Sequence, residues 1–417
     1  MEKIEQEKEH KTLPELKIGA YRSRLPIVQG GMGVGISTGE LAGNVALHGG
    51  IGTLTTVAIH KWPTYKEYRT NLRKERKEML GGSISPEEYT KLINEADAYC
   101  IKQEIKKAKE IAQGNGAIFA NIMYAASYNK EQILAACKGG IDGIVCGAGL
   151  PSDLPEITKE YPDIVLIPIL SSVQGVKIIV EKWKKYNRKP DAIILEDPSR
   201  AGGHLGAGGI EKVNNKETIL EVSVQETLAY LKGEGLDIPI IAAGGIVTKE
   251  DIDRTMALGA SGVQLGTRFL ASKESGAHQE FKDAIINSTE DDMFVYMSNA
   301  GLPARALKES GTFERIKDIK AETRICIEKC LKRCGYRDGK EQLAQMCIFK
   351  ELLKSVEGGE GGGLMFTGTS AININSILTV EEIMKTFEDS FIKEENIDKK
   401  NYDQKIYGKN DFLNQTG

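Results

Sequence analysis

The sequence predicts an α/β protein built as a closed (β/α)8 barrel, the TIM barrel. Three observations lead to this fold class. Short, continuous apolar runs alternate with helix-like segments between residues 25 and 270, and strands that are apolar along their whole length are typical of parallel sheets. Eight strand-helix units over about 250 residues match a closed barrel. Glycines also cluster at the ends of the apolar runs, where a barrel carries its functional groups.

The predicted barrel strands end in glycine or in small and polar residues. In chain order they are Leu25–Val28, Ile51–Leu54, Ala117–Ile122, Gly143–Cys146, Ile164–Ile169, Ala192–Leu195, Ile238–Ala242 and Gly262–Leu265. Helical spacing of apolar residues predicts the helices between them. These are Thr38–Leu47, Lys130–Cys137, Leu154–Glu160, Val173–Tyr186, Ser223–Lys232 and Lys249–Leu258.

Residues 62–114 are longer and more charged than the other connections, and we interpret them as a helical insertion after the second strand. Two helices are expected, joined around Gly81-Gly82-Ser83, with Pro86 in the first turn of the second. The lysine and glutamate runs indicate a solvated helix face and not a binding patch.

The predicted domain organisation is a barrel at residues 15–310, a mostly helical, cysteine-bearing extension at 311–390 and a polar tail at 391–417. Within the extension, a glycine-rich stretch at Gly358–Gly363 precedes the sequence LMFTGTSA and an amphipathic segment at Val380–Phe387. The extension and the insertion are possible docking surfaces.

Composition narrows the function classes. The 417 residues carry a net charge of −4 with both signs interspersed, which predicts no nucleic-acid partner. We expect no membrane span, because no run of about 18 apolar residues occurs. The charged start MEKIEQEKEHK lacks the apolar region of a secretory signal, so a cytoplasmic protein is expected.

The stretch Ser199–Gly209, SRAGGHLGAGG, is the main candidate for a catalytic loop. It follows a predicted strand and places His204 among glycines and alanines, so a flat ligand could lie against the backbone within reach of the imidazole. The competing explanation is a flexible loop with a surface histidine. The first strand likewise runs into GGMGVGIS, where Met32 offers a soft apolar surface.

A phosphate site is predicted after the last two barrel strands. The sequence AAGGI leads into Thr248-Lys249-Glu250-Asp251, which resembles a capping box, and Gly266-Thr267 follows the eighth strand. Bare backbone amides beside a helix N-terminus bind anions in this architecture. The alternative is that these glycines only relieve crowding between helix and strand.

Seven cysteines in a chain without a signal peptide do not indicate a disulfide framework. Cys326, Cys330 and Cys334 fall on one stripe of a helix predicted over Glu314–Gly335, and Cys347 follows. They are either small buried residues or ligands of a 4Fe-4S cluster or of zinc. A straight helix would spread three ligands over about 12 Å, so a cluster requires the helix to break.

Four motifs in order, GGMG, SRAGGHLG, AAGGI and VQLGTRF, resemble the nitronate monooxygenase (2-nitropropane dioxygenase-like) family, which includes the FMN-dependent enoyl-acyl-carrier-protein reductase type II. The match runs from about Leu25 to Leu307. The resemblance implies a TIM barrel that binds FMN. His204 matches the family's active-site histidine.

The resemblance also implies the cofactor residues. Gly31 and Met32 would lie against the flavin ring with Asn121 nearby, and Gly202 would lie at the cofactor. Gly244 and Gly245 would hold the phosphate, and Gln264, Gly266 and Thr267 would complete the phosphate and ribityl site. The chain departs from the family at Arg200, where many members have glutamate, and at Asp197, where several have glutamine beside the flavin.

The preferred function is oxidation of alkyl nitronates to a carbonyl compound and nitrite. There His204 would hold the anion, or would act as a base toward a neutral nitroalkane. The alternative is an NAD(P)H-dependent enoyl-thioester reductase in which His204 helps to protonate or polarise the enolate. A third hypothesis is a flavoprotein reductase subunit of a synthase assembly. Arg200 suits either a nitronate or a phosphate, and a homodimer is a possible assembly.

Overall fold

Eight parallel strands that close on themselves form the centre of the computed structural model, which describes residues 13–308, 326, 329–339, 346–358 and 363–388. Closure occurs between the first two barrel strands. There the amide of Gln29 donates to the carbonyl of Ile51, and the amide of Ile51 to that of Ile27, both at 2.9 Å. The predicted TIM barrel is confirmed.

The barrel strands are buried on both faces, as their unbroken apolar sequences require. They agree with the predicted strands to within a few residues. They are β3 (Ile27–Gln29), β4 (Gly52–Thr55), β5 (Ile118–Met123), β6 (Gly143–Gly147), β7 (Val165–Leu170), β8 (Ile193–Glu196), β10 (Ile240–Ala243) and β11 (Gly262–Leu265).

An antiparallel hairpin of β1 (Leu16–Ile18) and β2 (Tyr21–Ser23) precedes the barrel. Leu16 and Ile18 are buried in the cluster that fills the barrel interior, together with Phe119 and Ile194. Leu16 also contacts the region of Gly262, the first residue of β11. The hairpin therefore covers the amino ends of the strands, and the carboxyl ends are left for the site.

Helices surround the barrel close to their predicted positions. They are α1 (Gly39–Leu47), α2 (Lys66–Met79), α3 (Pro86–Ala112), α4 (Asn129–Lys138), α5 (Leu154–Ile157), α6 (Val173–Lys184), α7 (Leu220–Gly233), α8 (Lys249–Ala257), α9 (Thr267–Leu270) and α10 (Gln279–Ile286). None of the described helices is both long and apolar enough to cross a bilayer.

The insertion predicted after the second barrel strand consists of α2 and α3. Helix α3 begins at Pro86, with Ser85 as its N-cap, in agreement with the prediction. It buries an apolar stripe that includes Leu92, Ala96 and Ile105 and packs against α1 and α4. It therefore also serves as the outer helix between β4 and β5, whereas α2 has no buried residue.

A second antiparallel sheet contains β9 (Gly203–His204), β12 (Met293–Met297) and β13 (Pro303–Leu307), with β13 in the middle. His204 pairs with Ala304. The candidate catalytic histidine thus belongs to a strand and not to a flexible loop.

The described part of the extension contains α11 (Gly335–Asp338), α12 (Ile348–Glu357) and α13 (Val380–Glu388). The predicted helix Glu314–Gly335 is wrong over residues 329–334. There Leu331 forms an antiparallel bridge with Ala126, and Lys329 has φ +44°. The backbone pairs with the loop after β5 and not with itself. Residues 314–325, 327 and 328 of that prediction, and the predicted tail at 391–417, lie outside the described residues.

Candidate active site

A cavity of about 230 Å³ opens at the carboxyl end of the barrel. Since a single water needs on the order of 10–15 Å³ of such space, a large ligand fits there. The structure brings to this cavity all ten residues predicted for catalysis and cofactor binding, although their roles stay predictions. They are Gly31, Met32, Asn121, Gly202, His204, Gly244, Gly245, Gln264, Gly266 and Thr267.

Two glycines show why side chains are excluded from the cavity wall. A Cβ on Gly31 would lie 2.2 Å from the Cβ of Asn121, so no larger residue fits there. Gly244 has φ +105°, a conformation that strains residues with a Cβ. The strand ends β3 and β10 therefore present bare backbone to whatever fills the cavity.

Polar atoms without partners identify the ligand as one with its own hydrogen-bonding groups. The Oε1 atom of Gln264 and the Oγ1 atom of Thr55 are buried without a hydrogen-bond partner, and both residues line the cavity. Unpaired buried polar atoms are costly unless a ligand satisfies them. The polar edge and ribityl hydroxyls of FMN supply such groups, so the residues present fit that cofactor.

The predicted capping box is present at the start of α8. The Oγ1 atom of Thr248 accepts from the amide of Asp251 at 3.2 Å, and the Asp251 carboxylate accepts from the amide of Thr248 at 3.0 Å. This helix follows Gly244 and Gly245. Their neighbours at the end of β11, Gly266 and Thr267, complete a backbone surface of the kind that binds phosphate.

His204 is held at the cavity wall by three features. Its Nε2 atom lies 3.1 Å from the Oγ atom of the buried Ser298, and its ring meets that of Phe366 edge-on at 5.5 Å. Arg305, on β13, donates to carbonyls of the loop that precedes His204, including that of Ser199 at 2.9 Å. Burial lowers the pKa of His204 to about 4, so the free imidazole is neutral at pH 7.

Glu196, the last residue of β8, is a cavity residue that the sequence analysis missed. Burial and the negative charge of Asp197 raise its pKa to about 7, opposed by Arg305. Asp197, expected beside the flavin, does not line the cavity. It is fully buried and accepts from the amide and hydroxyl of Ser199. The alternation of side chains along β8 decides which carboxylate faces the ligand.

Arg200 lines the cavity, but its guanidinium is already paired. It donates to both carboxylate oxygens of Glu221, at 3.0 and 3.2 Å, and its Nε atom lies 3.4 Å from Asp197. Use of Arg200 to bind a nitronate or a phosphate, as the sequence suggested, would require this bidentate pair to open.

The C-terminal extension completes the cavity, which the sequence analysis did not predict. A Cβ on Gly202 would lie 2.3 Å from the carbonyl carbon of Thr367, and the amide of Gly368 donates to Thr267 Oγ1 at 3.1 Å. The only sequence signal was the motif LMFTGTSA, with its small and hydroxyl residues. The missed cavity residues from the extension are Leu331, Ile348, Phe349, Leu352, Phe366, Thr367, Gly368 and Ser370.

The four candidate metal ligands Cys326, Cys330, Cys334 and Cys347 do not line the cavity, and all are free thiols. Among the described residues, no three histidine, cysteine, aspartate or glutamate side chains are grouped so that they could hold one metal ion.

A model of the family described as "Nitronate monooxygenase" matches residues 15–389. The chain belongs to this family. A protein named probable nitronate monooxygenase from Staphylococcus saprophyticus is 28% identical over 309 residues, which are 70% of this chain and 77% of that protein. Family membership makes the chain an FMN-dependent oxidoreductase.

Two solved structures share the fold. FabK from Thermotoga maritima has a TM-score of 0.60 at 22% identity and covers 94% of this chain and 96% of its own. A nitroalkane oxidase from Streptomyces ansochromogenes also has a TM-score of 0.60, at 18% identity, and covers 88% of this chain and 95% of its own. At these identities the similarity establishes the barrel and not the substrate.

Proposed function

We propose that this member of the nitronate monooxygenase family oxidises alkyl nitronates to a carbonyl compound and nitrite. The observation that carries the proposal is the neutral His204 on the wall of the cavity that fits FMN. The flavin, when bound, supplies the electron acceptor, and oxygen completes the oxidation. The chain's own residues bind and orient the substrate.

The cofactor assignment follows the family resemblance and is supported by the cavity, which all of the assigned residues line. We assign the flavin ring to Gly31, Met32 and Asn121, beside Gly202. We assign the phosphate and ribityl group to the ends of β10 and β11, where Gly244, Gly245, Gln264, Gly266 and Thr267 lie.

The low pKa of His204 favours a substrate that is already an anion. A general base works best when its pKa lies near the working pH, and a base whose conjugate acid has a pKa of about 4 has little driving force to remove a proton from carbon. The nitronate needs no such step. An anion beside the ring raises the pKa of the imidazole, so His204 is suited to donate a hydrogen bond to a nitronate oxygen.

Ser298 sets the orientation of this donor. Its Oγ atom accepts from the amide of Ala300 at 3.3 Å, which leaves its own hydrogen available for Nε2 of His204, 3.1 Å away. In that arrangement the imidazole carries its proton on Nδ1. Ser298 is therefore a positioning residue for the histidine.

An anaerobic absorbance titration of the FMN-loaded protein tests the proposal. Separate samples receive an alkyl nitronate, the parent nitroalkane and NAD(P)H. We expect the nitronate to reduce the flavin, and the neutral nitroalkane to do so at least tenfold more slowly at the same concentration and pH. Admission of oxygen should then yield nitrite from the nitronate sample.

Reduction by NAD(P)H with no response to the nitronate would overturn the proposal and favour the enoyl-thioester reductase. Equal rates with nitronate and nitroalkane would instead show that the enzyme removes the carbon-bound proton itself, against the neutral, weakly basic His204.

A further inference from the structure

Four of the seven cysteines are gathered in the C-terminal extension, away from the three buried in α3, α4 and β6. The Nδ2 atom of the buried Asn299 lies 3.6 Å from the sulfur of Cys334 and donates to the carbonyl of Met346, the neighbour of Cys347, at 3.1 Å. Cys330 and Phe349, two residues after Cys347, line one small cavity together. The segment of Cys330 and Cys334 therefore lies beside the start of α12, where Cys347 is.

The backbone conformation allows these cysteines to bind one metal centre, which a straight helix would prevent. Residues 329–334 do not form a helix: Leu331 bridges to Ala126, and the amide of Ser127 donates to the carbonyl of Cys330 at 3.0 Å. The spread of about 12 Å along a straight helix thus does not apply between Cys330 and Cys334. The segment is a loop fixed to the barrel by the turn after β5.

We propose that Cys326, Cys330, Cys334 and Cys347 bind a 4Fe-4S cluster that exchanges electrons with the flavin. A zinc site with Zn–S bonds of about 2.3 Å needs its sulfurs roughly 3.8 Å apart, and the described residues contain no such group of three ligands. In a cubane cluster each thiolate binds a different iron. The four sulfurs around a cluster are therefore spaced more widely than those around one ion, which is compatible with the lack of a three-ligand group among the described residues.

The surroundings of the cysteines suit a negatively charged cluster. Lys61 lines the same small cavity as Cys330, and Arg337, three residues after Cys334, donates to the carbonyl of Leu331 at 2.8 Å. The Nδ2 atom of the buried Asn299 lies 3.6 Å from the sulfur of Cys334 and donates to it. Hydrogen bonds to cluster sulfurs and nearby charges are the features that set the reduction potentials of such clusters.

The cysteines adjoin the wall of the flavin cavity. Leu331 follows Cys330, Ile348 follows Cys347, and both line that cavity. Each of these cysteines is therefore one Cα step, about 3.8 Å, from a cavity residue. Asn299, which donates to Cys334, follows Ser298, the partner of His204. The cluster would share a wall with the flavin site.

The cluster would let a flavin enzyme accept electrons singly. Each of two reduced one-electron carriers would lose one electron, and the two electrons would reach the flavin in turn through the cluster, together with a proton from solvent. A small redox protein is the class of partner that supplies such electrons. This role is independent of nitronate oxidation.

The first test is analysis of the full-length protein, purified without oxygen and reconstituted with ferrous iron and sulfide. We expect about four iron and four acid-labile sulfide per chain, with an electron paramagnetic resonance signal after reduction by dithionite. Cys330→Ser and Cys347→Ser should lose most of the iron and keep FMN, whereas Cys137→Ser in α4 should keep both. Stoichiometric zinc, or wild-type protein without iron and sulfide, would overturn the proposal.

The second test addresses electron exchange. Reduced methyl viologen, a one-electron donor, is mixed with the FMN-loaded protein and flavin reduction is followed by stopped flow. The wild type and Cys137→Ser should be reduced at least tenfold faster than Cys330→Ser. Equal rates in all three proteins would remove the electron-transfer role even if the cluster is present.

Discussion

At the scale of the residue, His204 depends on contacts that are remote in sequence. Ser298 fixes its Nε2 atom, and Phe366 packs against its ring. The sequence located the histidine among glycines, but its neutral charge state follows from burial, which local sequence does not reveal. The same burial disfavours the role of His204 as a base and favours its role as a hydrogen-bond donor.

We predict that His204→Ala retains FMN and loses nitronate turnover by on the order of 10²-fold, the usual effect of removing one donor from a preorganised site. Flavin content per chain and the rate of nitrite formation are the measurements. His48→Ala, which changes a histidine outside the cavity, should behave as the wild type. Wild-type turnover by His204→Ala would remove the histidine from the mechanism.

At the scale of the element, the carboxyl ends of the barrel strands supply the cofactor surface. The amino ends are covered by the hairpin β1–β2, with Leu16 and Ile18 in the core. Small residues at the other end bring the backbone to the cavity wall beside α8. The glycine clusters could be predicted because they interrupt apolar runs, and the barrel then brings them together.

We predict that Gly244→Val abolishes FMN retention. Gly244 has φ +105°, and a Cβ there would lie 3.0 Å from the carbonyl oxygen of Asp197, so a branched side chain strains the turn and displaces the backbone to which we assign the phosphate. Flavin absorbance of the purified variant is the measurement.

Gly208→Val is the matched control for this substitution. A Cβ on Gly208 would have Lys212 as its nearest neighbour, at 4.0 Å, so the variant should retain FMN. A yellow, fully loaded Gly244→Val protein would contradict the assignment of the phosphate site.

At the scale of the whole molecule, residues Pro14–Phe387 form one unit, in which the extension closes the barrel mouth. The segment around Thr367 passes so close to Gly202 that only glycine fits. The site is therefore assembled from both the barrel and the extension. Buried ionisable groups in this shared cavity influence the stability of the unit.

We predict that Glu196→Gln changes the pH dependence of unfolding. Burial and Asp197 raise the folded pKa of Glu196 to about 7, above its usual unfolded value of about 4.3. The folded state therefore binds more protons, and this group's contribution to stability falls as the pH rises from 4.3 through 7. Glutamine cannot ionise. The free energy of unfolding of the variant, minus that of the wild type, should therefore be larger at pH 8 than at pH 5.

Urea unfolding of both FMN-loaded proteins at the two pH values measures this effect. The comparison of variant with wild type cancels the opposing titration of His204, which both contain. An unchanged difference in the free energy of unfolding between pH 5 and pH 8 would show that the Glu196 carboxyl titrates in its ordinary range.

The sequence by itself determined the barrel and the order of its strands, and its resemblance to a known family supplied the ten candidate residues. The barrel could be predicted because apolar periodicity and the placement of glycines are local properties of the sequence. Only the tertiary structure decided that Glu196 and not Asp197 faces the cavity, and that Arg200 is paired with Glu221. It also decided that the cysteine segment and LMFTGTSA adjoin the site. These outcomes depend on side-chain direction and on contacts between distant segments, and no local pattern encodes them.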